Sequence, residues 1–137
     1  MRTSRHKVGL LFFPAFDWAI SPDHPEREER LLYTRDQIME EGLLDVPGIE
    51  EFRPEVATDI QVNRAHICVP SVSNVITESH RIAAGGSIVA ADLVLTGKVD
   101  RSFALLRPPG HHANRIVHGS RGFCTINHEA IMLEHIR

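Results

Sequence analysis

Ser102-Phe103-Ala104-Leu105-Leu106-Arg107-Pro108-Pro109-Gly110-His111-His112-Ala113 is the stretch that decides the fold. Residues 102–106 are a short, mostly apolar run of the kind that forms a buried strand. Two prolines and a glycine then stop the strand and hold the next residues in a rigid turn. Two adjacent imidazoles are thereby placed just beyond the carboxyl end of a strand, where open α/β sheets carry their chemistry. Imidazole titrates near neutral pH, so a histidine pair can both take and give a proton. The plainer alternative is a turn whose imidazoles hydrogen-bond backbone groups.

Working outward, the pattern alternates between strands and helices. Residues 7–13 are an apolar β-type run, expected as a first strand buried on both faces. A helix is expected from Glu26 to near Gly42, with Leu31, Leu32, Ile38, Met39 and Leu43 on one side and Glu26, Glu28 and Glu29 favouring its amino end. Residues 49–53 fit a short second strand stopped by Pro54. Thr58 is a candidate N-cap for a short helix from 59 to about 66, and 67–74 reads mainly as loop. The clearest helix is 78–95, with Ile82, Gly86, Val89 and Leu93 on one face and Gly97 as its stop. Its Ala83-Ala84-Gly85-Gly86 run presents a small-residue surface suited to close approach to a sheet. A last helix is expected from about 127 to 137. The alternation predicts an α/β fold with a mainly parallel sheet of about three strands flanked by helices, in a single domain spanning 1–137.

Composition narrows the function classes. The net charge of −3 argues against a general nucleic-acid surface, which needs a basic patch. No apolar stretch approaches the ~20 residues of a membrane span. The basic amino terminus invites a signal-peptide reading, but the apolar residues after it run into Asp17 and Pro22 without a small-residue cleavage site. With Cys68 and Cys124 as the only cysteines, a disulfide framework is not expected and a cytoplasmic setting is.

The Arg-Pro-Pro-Gly-His-His-Ala string, with Gly122-Phe123-Cys124 close behind, resembles the histone deacetylase family, including its bacterial acetoin-utilization and acetylpolyamine amidohydrolase branches. Weaker pieces fall in the same order. Val8-Gly9-Leu10 resembles the opening strand, and Ser21-Pro22-Asp23-His24-Pro25-Glu26-Arg27 resembles a His-Pro-Glu-x-Pro-x-Arg segment. The short helix after Ala57-Thr58 and the helix around Ala83–Gly86 come next in the same series. The departures are Ser21 for a frequent histidine, Glu28 for an apolar residue, and Thr125-Ile126-Asn127-His128-Glu129 for a more apolar Phe-x-Asn-Asn-x pattern.

The resemblance implies part of an arginase-deacetylase fold and, for the parent family, zinc-dependent hydrolysis of acetyl-lysine or acetylpolyamine amides. It implies that His111 and His112 are the catalytic pair, that Gly122 and Phe123 line the substrate channel, and that Arg27 lies near an acetate-exit cavity. It places the zinc ligands in an Asp-x-His segment on the following strand and in a later aspartate, with an oxyanion-stabilising tyrosine further on. None of these occurs in the present sequence, so the expectation is a chain with no metal ligands or cofactor of its own, inactive alone, corresponding to the family's N-terminal part. A third strand left with an unpaired edge should associate, either as a homo-oligomer or with a complementing C-terminal chain. The rival expectations are a non-enzymatic oligomerising interaction module and one half of a split deacetylase.

Other donors point less clearly. His128-Glu129 begins like a His-Glu-x-x-His zinc motif, but Met132 stands where the second histidine belongs. His6, His24, His66, His80 and His118 are expected at the surface or in caps. Cys124 is expected as a small buried hydrophobe, or as a redox-sensitive thiol near the pocket. Trp18 and Phe16 are expected to anchor their loop or to form a tunnel rim.

Overall fold

A computed structural model describes residues 3–69, 76–117 and 121–137. Strand β1 (Val8–Phe13) is followed by helix α1 (Glu28–Glu40), a one-turn 3-10 helix (Leu43–Asp45), β2 (Ile49–Phe52), α2 (Asp59–Ala65), α3 (Glu78–Leu95), β3 (Arg101–Leu106) and α4 (His128–Ile136). The sheet is parallel throughout, in the order β2-β1-β3, with Val8 opposite both Ile49 and Arg101. Among the described residues no helix is long and apolar enough to cross a membrane.

α3 holds the fold together because it is apolar on more than one side, as a helix between two layers must be. Toward the sheet, Ala90 and Leu93 pack with Leu11 and Val99. On its other flank, Ala84 and Ile88 pack with Val62 of α2, Ile131 of α4, and Val117 and Ile126 from the loops. The small-residue surface works as expected, against a loop as well as the sheet. A Cβ on Gly85 would lie 1.9 Å from the Glu55 carbonyl oxygen, and one on Gly86 2.8 Å from Leu106. Of the expected stripe, Gly86 and Leu93 are buried while Ile82 and Val89 are half-buried.

Two expectations are corrected. β1 is fully buried only on the α3 side, through Gly9 and Leu11; Val8, Leu10 and Phe12 opposite are half-buried. The reason is thin cover, for α1 buries only Leu31 completely and otherwise reaches the sheet with Arg35, stacked on Phe12 and paired with Glu51 at 3.0 Å. The α1 stripe accordingly fails at its far end. Met39 stays exposed beside Arg35, and Leu43 lies past the helix, in the 3-10 turn entered through Gly42 at φ +66. β3 pairs with β1 along one edge, its other edge has no partner among the described residues, and Phe103 on it is 56% exposed.

Candidate active site

β3 delivers Arg107 directly into the interior. Its side chain is completely buried, and each guanidinium nitrogen is engaged. Nε donates to Glu26 Oε1 at 3.0 Å and Nη2 to Glu26 Oε2 at 3.1 Å, while Nη1 donates to the carbonyls of Pro14 (2.6 Å) and Ala15 (2.7 Å). Nη2 also reaches the Trp18 carbonyl at 3.1 Å, and the Trp18 ring packs over the guanidinium. Ala15, held in this way, takes a left-handed φ of +53 that an alanine adopts only at a cost. A single cation thus ties the end of β3 to the loop after β1 and to the His24-Pro25-Glu26 segment.

Beyond Arg107 the chain turns through Pro108, Pro109 and Gly110, and Gly110 has no room for a side chain. A Cβ there would lie 2.1 Å from the Ile126 carbonyl and 3.0 Å from the His128 ring. The turn closes with Ala113 N–H donating to the Gly110 carbonyl at 3.0 Å. His111 and His112 stand exposed with ring centroids 4.1 Å apart. Neither ring forms a hydrogen bond among the described residues.

The second wall is a tight turn in which Arg121 and Cys124 exchange backbone hydrogen bonds at 2.8 and 3.1 Å. Gly122 takes φ +64 at its first central position, a conformation that suits glycine. Phe123 packs edge-on against His24, with ring centroids 5.2 Å apart. Cys124 is buried, and its Sγ lies with one ring nitrogen from each of His111 and His112 in a group whose atoms are all within 4.8 Å of one another. Two imidazoles and one thiol, with no carboxylate among them, do not compose the aspartate-containing zinc set that the family resemblance implies. They also fall short of the four ligands of a closed structural zinc site.

Behind the turn lie three buried histidines, of which His66 and His80, expected at the surface or in caps, occupy cap positions but are buried there. His66 is nearly inaccessible: Nδ1 bonds the Arg115 carbonyl at 3.2 Å, and Nε2 accepts the Asn127 N–H at 2.9 Å. His80 is buried yet also caps α3, its Nδ1 accepting the Thr77 N–H at 3.2 Å, with Trp18 edge-on. Burial pushes the His80 pKa down to about 4, against a small opposing pull from Asp17, whose carboxylate accepts the Ser79 hydroxyl. Burial, and secondarily the other histidines, push His128 down to about 3. The Nε2 atoms of His80 and His128 have no hydrogen-bond partner among the described residues. His118 lies outside the described residues.

Arg27 is half-buried, held by Glu29 at 2.5 Å and by the Pro22 carbonyl. The interior arginine is Arg107, which in the sequence stands only as the first letter of a motif. The available signal is a cation immediately after an apolar strand. Trp18 anchors its loop, as expected, while Phe16 stays largely exposed.

Comparison with known proteins agrees with this geometry. The histone deacetylase domain family matches residues 68–137, which include the histidine turn and the Gly122-Phe123-Cys124 turn. A probable deacetylase of Archaeoglobus fulgidus is 36% identical over 132 residues, covering 83% of this chain and 36% of that protein. Polyamine deacetylase HDAC10 of Mus musculus is 44% identical over 57 residues, covering 42% of this chain and 8% of that protein. The chain therefore spans about a third or less of the length of these relatives. The solved HDA15 HD domain superposes with a TM-score of 0.75 at 24% identity, over 93% of this chain and 42% of that one, and shares the fold. With the family domain matched through both walls of the site, this chain belongs to the histone deacetylase family.

Proposed function

We propose that these residues form the histidine-bearing part of a zinc-dependent amidohydrolase acting on acetyl-lysine or acetylpolyamine amides in the cytoplasm. The observation that carries this reading is the placement of His111 and His112, side by side and uncommitted, at the carboxyl end of β3. One imidazole takes the proton of the attacking water and the pair returns a proton to the departing amine. Gly122 and Phe123 line the approach for a slender acylated chain, with Phe123 steadied by His24. Zinc, when bound, polarises the acetyl carbonyl and acidifies the water. Its ligands are supplied by residues other than these 137, so the chain alone is inactive. Co-expression with the remaining portion of the Archaeoglobus fulgidus relative tests this. Zinc-dependent acetyl-amide hydrolysis that is lost in His111→Ala is expected, whereas a zinc-loaded complex without turnover would contradict the reading.

One observation favours a second reading, the edge of β3 that has no partner among the described residues. Such an edge templates pairing, either with a second copy, as in an interaction module, or with a complementing chain, as in a split enzyme. Light scattering at micromolar concentration separates these from a monomer, which would remove this reading.

A further inference from the structure

The two cysteines of the chain stand in opposite settings, Cys68 exposed and Cys124 buried. Cys124 Sγ and one ring nitrogen from each of His111 and His112 all lie within 4.8 Å of one another. Both sides of this group are fixed at the backbone. The thiol is carried by the turn in which Arg121 and Cys124 exchange hydrogen bonds at 2.8 and 3.1 Å. The imidazoles are carried by the turn whose Gly110 is pressed against the Ile126 carbonyl and the His128 ring. The rings themselves are exposed and make no hydrogen bond among the described residues, so both are free to turn toward a common point.

Around a first-row metal ion with bonds of about 2.0 Å to nitrogen and about 2.3 Å to sulfur, three ligand atoms in one plane stand about 3.5–4 Å apart. The group reaches that spacing by closing at most about 1 Å, a change that rotation of exposed imidazoles supplies. The donors are two imidazoles and one thiol, with no carboxylate in the group. Sulfur of this kind selects thiophilic ions over hard ones. Charge then decides among the thiophilic ions. A monovalent ion on one thiolate and two neutral imidazoles makes an uncharged unit. A divalent ion leaves a net positive charge beside a buried sulfur, which is costly without a counter-charge. Burial keeps His128, directly behind the turn, neutral as well.

We propose that His111, His112 and Cys124 form a binding site for a single Cu(I) ion, held by the thiolate and the two imidazoles. As the copper–sulfur bond forms, the thiol proton passes to solvent, and the oxidation state of the metal does not change. The site does not rest on the hydrolytic reading, which uses the same imidazoles with no metal upon them.

Anaerobic titration of the 137-residue protein with Cu(I), in competition with the chromogenic chelator bicinchoninate, tests the proposal. Withdrawal of one Cu(I) per chain from the chelator is expected, with a thiolate-to-copper absorption band in the ultraviolet that saturates at the same equivalence. Cys124→Ala, His111→Ala and His112→Ala should each weaken binding at least tenfold or so, roughly 1.4 kcal/mol or more, with unchanged circular dichroism showing that the fold persists. The two histidine variants lie at the surface, so they report on the site even where Cys124→Ala disturbs the interior. Cys68→Ala, at the thiol outside the group, should leave binding unchanged. Failure to withdraw copper from the chelator would overturn the proposal. So would binding that survives the double variant His111→Ala with His112→Ala, or that disappears in Cys68→Ala. Zinc held as firmly as Cu(I) would overturn the charge argument and with it the choice of ion.

Discussion

The guanidinium of Arg107 and the imidazoles of His111 and His112 belong to one loop but occupy opposite environments. Arg107 is wholly buried, with every nitrogen engaged by Glu26 or by a carbonyl of the loop after β1. The histidines are exposed and make no hydrogen bond among the described residues. The contrast separates two jobs. Arg107 builds the frame that aims the loop, and this frame closes on itself within the chain. The histidines are presented outward, at the surface. Stability should therefore depend on the first region and hardly at all on the second.

The largest expected effect comes from breaking the frame. Arg107→Ala or Glu26→Ala leaves a buried charge without its counterpart and should cost about 4 kcal/mol, read from the urea midpoint. Replacing both, as Arg107→Met with Glu26→Leu, should recover little here, although buried ion pairs elsewhere often tolerate such exchange. The Pro14, Ala15 and Trp18 carbonyls would remain without their donor. Full recovery would show that the ion pair alone matters and that the carbonyl contacts do not.

Acid acts next, through histidines behind the turn. Burial holds His80 at about 4 and His128 at about 3, below the ordinary 6.5 that they regain on unfolding. The unfolded chain then binds more protons as the pH drops, so stability is unaffected above pH 6.5 and declines from there down to the folded-state values. At pH 5 the two together should cost about 4 kcal/mol or somewhat less. His128→Asn should remove about half of that slope, and His111→Ala none. A flat profile from pH 7 to 5 would mean that the two imidazoles are not buried as described.

Gly110→Ala should come next at about 3 kcal/mol, because the new methyl meets the Ile126 carbonyl, which is backbone and cannot step aside easily. The smallest effect belongs to the pair itself. His111→Ala and His112→Ala should each change the midpoint by no more than about 0.5 kcal/mol. A larger loss would reveal partners that the contrast denies them.

Legibility in the sequence divides along the same line. Local signals place α3 at residues 78–95 and the Thr58 cap, which forms a full capping box with Gln61, and they indicate a parallel sheet of about three strands. These depend on periodicity and turn chemistry, which are local. The burial of His66, His80 and His128 is not legible, since a polar residue between apolar ones does not reveal whether its ring finds partners inside. Arg107 is hidden for a related reason. Its partners lie on segments 80 and more positions away, and only the fold brings Glu26 and the Pro14 and Ala15 carbonyls to it. The closeness of Cys124 to the histidine pair depends on two turns meeting, which spacing along the chain does not encode.

On the function proposed above, these 137 residues hold the frame and the histidine pair of a deacetylase site and depend on other residues for the metal. The most direct test is to assay the purified protein for hydrolysis of an acetyl-lysine peptide with zinc supplied, and to measure the zinc it retains after desalting. The prediction is no turnover above a protein-free control and no stoichiometric zinc. One tightly held zinc per chain, with turnover abolished in His111→Ala, would contradict it.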